Sequence, residues 1–198
     1  MIKEQTFVII KPDGIQRSLI GEVIGRFERV GLKLVGMKMP VPTKEICEKH
    51  YTIDPEWLRK VGEKNISDYQ RRGITPPNTD AVEVGKKILA DLTKYMSCGP
   101  VVVMVWQGAH AVQLVRKLVG STEPLTSDVG TIRGDFVLDS YQLSSADGRV
   151  IRNIVHASGS PEEAKSEIDL WFSMTEIIDY THIQDKILYD VNLDGILE

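Results

Sequence analysis

The sequence predicts a single layered domain of mixed strands and helices, α/β or α+β rather than a helical bundle. Three observations predict it. Apolar runs of strand length, at residues 6–11 and 101–106, alternate with stretches whose apolar residues recur at helical spacing. The order of these segments is close to β-α-β-β-α-β. The 198 residues are 42% hydrophobic and 26% charged, which suits one globular unit over residues 1–198 with room for a full core.

Each element has its own signal. Thr6-Phe7-Val8-Ile9-Ile10 is a buried-type strand that ends at Lys11, where Pro12-Asp13-Gly14 turns the chain. Ile20, Val23, Ile24 and Phe27 share a helical face that Gly31 closes. Residues 33–41 alternate imperfectly as a strand. Residues 43–51 read as a short helix with Ile46, Cys47 and His50 near one face. Residues 52–81 are charge-rich and run into Thr75-Pro76-Pro77-Asn78, the mark of a partly helical surface excursion. Val84, Ile88, Leu92 and Met96 define the next helix. Ala111, Val112, Val115 and Val119 define another, closed by Gly120.

Residues 121–130 read as loop. Residues 137–150 contain Ser144-Ser145-Ala146-Asp147-Gly148, a turn signal that predicts a hairpin. Arg152, Ile154 and His156 alternate like one face of a strand. Ser160 is then an N-cap, Pro161 fits the first helical position, and Glu163 completes an S-x-x-E capping box for a helix over 161–171. A polar arm follows, and the chain shows no internal repeat.

Composition excludes several function classes. A net charge of -4 argues against a broad electrostatic footprint for nucleic acid. Cys47 and Cys98 lack metal-ligand spacing and read as reduced thiols. No apolar run reaches bilayer length and the start lacks a secretory signature, so a membrane role is excluded and the cytoplasm is expected.

The chemistry centres on His156. An imidazole placed just before a helix N-terminus stands beside free N–H groups that attract anions. On this segment alone, a packed histidine in a turn is the plainer reading. The chain carries no G-x-x-x-x-G-K-[ST] loop, so phosphate would have to be bound by side chains and attacked by a side-chain nucleophile. A neutral imidazole can serve.

Four segments occur in a telling order: Thr6-Phe7-Val8-Ile9-Ile10-Lys11-Pro12-Asp13-Gly14, Lys94-Tyr95-Met96-Ser97-Cys98-Gly99-Pro100, Gly130-Thr131-Ile132-Arg133-Gly134-Asp135-Phe136 and Asn153-Ile154-Val155-His156-Ala157-Ser158. With Glu167-Ile168-Asp169-Leu170-Trp171-Phe172 after them, the chain closely resembles nucleoside diphosphate kinase from Thr6 to about Tyr180. The resemblance is to a long form, broken by two apparent insertions at about 52–81 and 137–150.

The resemblance implies a ferredoxin-like α+β sandwich, an antiparallel sheet with helices on one face. It implies transfer of the γ-phosphoryl from a nucleoside triphosphate to a nucleoside diphosphate through a phosphohistidine, in ping-pong fashion. His156 is the nucleophile it assigns. Glu167 is its tautomer-fixing partner, which helix geometry supports because Glu167 shares a face with Ala164, Ile168 and Trp171. Ser158 donates to a phosphate or to the imidazole.

The resemblance makes Lys11, Arg116 and Arg133 the cations, and Arg133 lies between two glycines that free its backbone to approach a ligand. By the same resemblance Thr122 matches a phosphate-contacting threonine, Asn153 a residue at the sugar and phosphate end, and Tyr51 a tyrosine near the phosphates. In a regular strand Asn153 would face away from His156, so the strand must end or bulge there. Mg2+ is implied as a nucleotide complex, with no metal site on the protein. A homo-oligomer is implied, most often a hexamer, with residues 121–130 near subunit contacts. Tyr141 and Leu143 are the contacts expected of the second insertion.

The chain departs from the family at specific positions. Ile88 replaces a base-stacking phenylalanine, and Leu92 forms the other side of an apolar clamp that lacks base-reading polar groups. Gly159 replaces an aspartate, and Ile53 an acidic residue, with Asp54 following. Ile88 and Gly159 support a runner-up reading, a nucleotide-binding or interaction protein of the same fold with weak or no turnover. His50, His110 and His182 have no site-like setting and read as surface or boundary residues.

Overall fold

The computed structural model describes residues 3–189 and 192. Strands β1 (Glu4–Ile10), β2 (Lys33–Lys38), β3 (Val102–Gly108) and β4 (Val155–Ala157) form one sheet in the order β2-β3-β1-β4. Every neighbouring pair is antiparallel, which settles the class as α+β. β1 is central, so its end at Lys11 lies beside the short strand that carries His156, and Ile9 pairs with His156 in register.

The helices flank the sheet on both faces, not on one as the resemblance implied. Val8, Ile10, Met104 and Trp106 pack with Val23 and Phe27 of α2 (Ile20–Glu28) and with Ala111 and Val115 of α6 (Ala111–Val119). Phe7, Ile9, Val103 and Val105 point the other way, toward α3 (Lys44–Tyr51), α5 (Ala81–Met96) and α9 (Pro161–Trp171). Both sides of β1 and β3 are therefore apolar. Continuous apolar runs, rather than alternation, are what a two-sided burial demands.

The segment at residues 52–81 contains α4 (Trp57–Arg71), which lies antiparallel against α5. The two backbones touch. A Cβ on Gly62 would stand 1.8 Å from the Ala81 carbonyl oxygen, and one on Gly85 would stand 2.0 Å from that of Leu58. Only glycine permits that crossing.

Between α6 and β4 lie α7 (Ile132–Phe136) and α8 (Tyr141–Ala146). The expected hairpin at 137–150 is instead a helix, with the Ser140 hydroxyl accepting from the Leu143 N–H as N-cap. The Asp147-Gly148 signal is real but ends that helix, with Gly148 at φ 62°. The expected 33–41 strand stops at Lys38. The C-terminal arm docks on its outer edge through Ile178 N–H to the Val35 carbonyl and contains α10 (Ile183–Tyr189).

Candidate active site

The site is organised by one strained residue. Ile154 has φ 51°, a left-handed conformation that a β-branched residue rarely adopts, and Val155 N–H bonds back to the Asn153 carbonyl at 2.6 Å. This tight γ-like turn resolves how Asn153 and His156 come to serve one site. The chain is not a regular strand before Val155.

The turn is held by the β1–α1 junction, where α1 spans Pro12–Gln16. Lys11 N–H donates to the Ile154 carbonyl at 2.8 Å, and Ile154 N–H donates to Asp13 Oδ2 at 3.3 Å. Strain of this kind persists only where neighbours over-determine it.

His156 Nε2 lies 2.7 Å from Glu167 Oε1, and Glu167 is 1% exposed on the inner face of α9. The other carboxylate oxygen accepts from the Ser158 hydroxyl at 2.6 Å, and Ser158 Oγ in turn accepts from Phe7 N–H. Ser158 is wholly buried, so it donates neither to phosphate nor to the imidazole as expected. It orients Glu167. Burial drives the imidazole well below its usual range, with the Lys11 charge adding to it, while burial raises Glu167. A neutral imidazole whose Nε2–H donates to Glu167 leaves Nδ1 unshared among the described residues.

His50 is not the surface or boundary residue that its sequence setting suggests. It is 5% exposed, its ring stands edge-on to His156 with centroids 4.6 Å apart at 82°, and its Nδ1 lies 3.5 Å from Glu167 Oε1. Its place on one face with Ile46 and Cys47 was the available signal. His110 begins α6 in an exposed left-handed conformation, and His182 is only partly exposed.

His50, His156 and Glu167 offer donor atoms within 4.8 Å of one another. Yet His156 and Glu167 stand closer, at 2.7 Å, than the ~3.3 Å that separates two ligands of one tetrahedral ion. The group is a hydrogen-bonded set, not a metal cage.

Three cations share a cleft with His156. Lys11 is 6% exposed, and its Nζ donates to Asn153 Oδ1 at 2.6 Å. Burial and the nearby Arg133 lower its pKa to about 7. Arg133, 7% exposed, gives four of its five N–H donors to the carbonyls of Gly120, Ser121, Asn153 and Val155. One Nη2 hydrogen remains for a ligand. Burial pulls this guanidinium down to about 10, still charged at neutral pH.

The flanking glycines do not free Arg133 toward a ligand as expected. A Cβ on Gly134 would strike the Asp128 carbonyl oxygen at 2.2 Å, so that glycine serves loop packing. Asn153 completes the hub by donating its Nδ2 to the Thr122 carbonyl. Thr122 and Arg116 are exposed, and neither the Thr122 hydroxyl nor the Arg116 guanidinium makes a hydrogen bond among the described residues.

These groups line one end of a cleft of about 710 Å³. Ile88 and Leu92 of α5 lie along it, as expected, and Tyr51 closes its floor with a buried, unpartnered hydroxyl. The far wall was not expected to be polar. Lys64, Asn65 and Asp68 of α4 line it together with Tyr141 of α8, with the Lys64 ammonium 5.9 Å from the centre of the Tyr141 ring, while Leu143 is exposed. A smaller cavity of about 410 Å³ reaches His156 from the side of Asp54, Glu162 and Glu163.

At Gly159 a Cβ would meet Glu163 Oε2 at 2.6 Å, and that oxygen accepts the Gly159 N–H at 2.9 Å. The capping box is thus displaced by one residue: the Ser160 hydroxyl accepts from Glu163 N–H, but Glu163 reaches Gly159. A carboxylate from the helix fills the space beside the histidine that a side chain at 159 would occupy.

A partly exposed imidazole bonded to a buried glutamate shares its cleft with three cations, on a β2-β3-β1-β4 sheet. The sequence profile described as nucleoside diphosphate kinase matches residues 4–57 and 80–177. The chain belongs to that family. A nucleoside diphosphate kinase of Pyrobaculum aerophilum is 48% identical over 180 residues, covering 89% of this chain and 98% of the relative.

A solved NDP kinase structure from Pyrobaculum aerophilum superposes with TM-score 0.86 at 47% identity, covering 90% of this chain and 100% of that one. A nucleoside diphosphate kinase from Borrelia burgdorferi, solved as a transition-state mimic with vanadate and ADP, has TM-score 0.75 at 36% identity, covering 93% of this chain and 95% of that one. The kinase's profile match passes over residues 58–79, which hold most of α4.

Proposed function

We propose that His156 Nδ1 is the nucleophile through which this kinase moves a phosphoryl group between nucleoside triphosphates and diphosphates. The exchange of phosphoryl groups between nucleotides is the family's activity. What carries the residue assignment is the 2.7 Å bond from His156 Nε2 to Glu167, which fixes the tautomer and leaves Nδ1 unshared, in a ring that feels the charges of Lys11 and Arg133. The Nδ1 lone pair attacks the γ-phosphorus, the bond to the β–γ bridging oxygen breaks, and the diphosphate leaves. The ring becomes cationic, and Glu167 holds its Nε2–H. A terminal oxygen of a second diphosphate then attacks the phosphorus, and the N–P bond breaks.

Lys11, Arg116, the free Nη2 hydrogen of Arg133 and the Thr122 hydroxyl are the groups that contact the phosphates in this reading. Asn153 acts by holding Lys11 and contributes its remaining N–H. Tyr51 lies on the phosphate side, and Ile88 and Leu92 pack on the base. Mg2+ arrives as the nucleotide complex. Glu163 puts a carboxylate where a side chain at Gly159 would stand, which removes Gly159 from the case for a reading without turnover and leaves Ile88 as its one remaining ground.

Labelled ATP with Mg2+ should place acid-labile label on the protein, and His156→Gln should abolish it while the fold survives. Undiminished transfer in that variant rejects the assignment.

The same reading makes the chain one domain with insertions at 52–81 and 137–150, acting in the cytoplasm as a homo-oligomer, most often a hexamer in this family. No described helix is long and apolar enough to cross a membrane. Leu125, Val129 and Leu138 are 73%, 95% and 97% exposed on neighbouring loops, and Leu125 N–H bonds the Asp139 carbonyl. Such a bare apolar group is what a subunit contact covers. Light scattering at micromolar concentration should give an oligomer.

A further inference from the structure

We propose that His50 is a positioning residue that fixes the plane of the His156 ring. The inference rests on His156 being the nucleophile. A hydrogen bond at Nε2 restrains rotation about the His156 Cβ–Cγ bond only weakly, because Nε2 lies near that axis. In-line attack on phosphorus needs the Nδ1 lone pair aimed, so the ring plane matters as much as the tautomer. The contacts around His156 supply the second restraint. His50 meets it edge-on, with centroids 4.6 Å apart and planes at 82°, while Phe7 lies 6.3 Å away at 57°.

His50 is itself anchored. Trp171 Nε1–H donates to His50 Nδ1 at 3.4 Å, and Trp171 stacks on Phe7 with centroids 5.9 Å apart at 28°. An indole N–H can only donate, so His50 Nδ1 accepts and its proton sits on Nε2.

The charges around His50 keep it neutral. Its burial comes first, then His156 and Lys11 disfavour a proton on it, while Glu167 favours one; Tyr51 packs edge-on at 5.0 Å without charge. With its proton on Nε2, His50 offers Glu167 Oε1 neither a hydrogen bond nor a positive charge, and so does not compete with His156 for it. The carboxylate's field is left for the charge that develops on His156 during transfer.

Two substitutions separate the ring from its acceptor nitrogen. His50→Phe keeps a flat edge against His156 and loses the Trp171 acceptor. His50→Gln keeps an acceptor and loses the ring. Single-turnover labelling of His156 by ATP should fall about 10- to 100-fold in His50→Gln, with KM for ATP within about twofold, and stay within about fivefold of wild type in His50→Phe. Thermal melting of each variant shows whether the fold survives.

Equal rates in wild type and both folded variants overturn the proposal. So does a His50→Gln variant that works as well as His50→Phe, or a loss confined to KM. If His50→Gln does not fold, a loss beyond about fivefold in His50→Phe overturns the proposal and a smaller one upholds it. Absence of label on wild-type protein would instead reject the nucleophile assignment.

Discussion

Gly14 lies against Ile154 and has room for no side chain. A Cβ there would stand 3.2 Å from the Ile154 carbonyl oxygen, 3.3 Å from its Cβ and 2.9 Å from Ile10 Cγ2. All three neighbours are fixed, since Ile10 and Ile154 are fully buried and the carbonyl accepts the Lys11 N–H. The left-handed turn that brings Asn153 and His156 to one site therefore depends on a missing methyl group in a different segment.

Gly14→Ala should destabilise the protein by about 1–3 kcal/mol, the cost of overpacking a closed core. It should also raise KM for nucleotide, because relief of the clash moves Ile154 and with it the Lys11–Asn153 pair. Urea unfolding and steady-state kinetics check both; unchanged values in both would show that the contact is slack.

Lys11 makes nucleotide binding pH-dependent. Its folded pKa is about 7, against 10.5 when unperturbed. The unfolded chain thus binds more protons between those values, so this group's contribution makes stability rise as pH climbs through that window. Phosphate oxygens favour the charged form, so binding at pH 8 should take up as much as one proton, and affinity should fall as pH rises above about 7. Calorimetry of ADP binding in buffers of different ionisation enthalpy measures the uptake. Lys11→Met should abolish it.

Arg133 and Arg116 should fail in different ways. Removing Arg133 leaves four carbonyls without their donors, so Arg133→Ala should cost about 3–5 kcal/mol of stability along with activity. Arg116 is exposed with its guanidinium unengaged, and Arg116→Ala should lower kcat/KM while stability changes by less than about 0.5 kcal/mol. Paired denaturation and kinetic measurements distinguish them, and equal stability losses would contradict the division.

The sequence announced these elements wherever local chemistry dominates. The helix at Pro161–Trp171 was legible to the residue, because Ser160 and Pro161 act on the backbone next to them. The hairpin expected at 137–150 failed for a related reason, since Asp147-Gly148 ends a helix as readily as it turns a hairpin. Glu167 was legible from its helical face. Ser158 was given the wrong partner because its depth depends on Phe7, 151 residues away. His50 was missed because its shared face with Ile46 and Cys47 marks it as inward without revealing which elements, α9 and β4, close over it. The turn at Ile154 could be demanded but not drawn, since it is set by Lys11, Asp13 and Gly14.

The crossing of α4 and α5 at Gly62 and Gly85 joins backbone to backbone, without a side chain between. The anchoring of α4 at that point therefore makes little claim on the residues it turns toward the cleft. Lys64 and Asn65 line the cleft without taking part in that crossing, whereas Asp68 also pairs with Arg71 and Arg72 on the same helix. The chain has in effect divided its labour, keeping His156 on the sheet and one wall of the cleft on a helix seated against another helix.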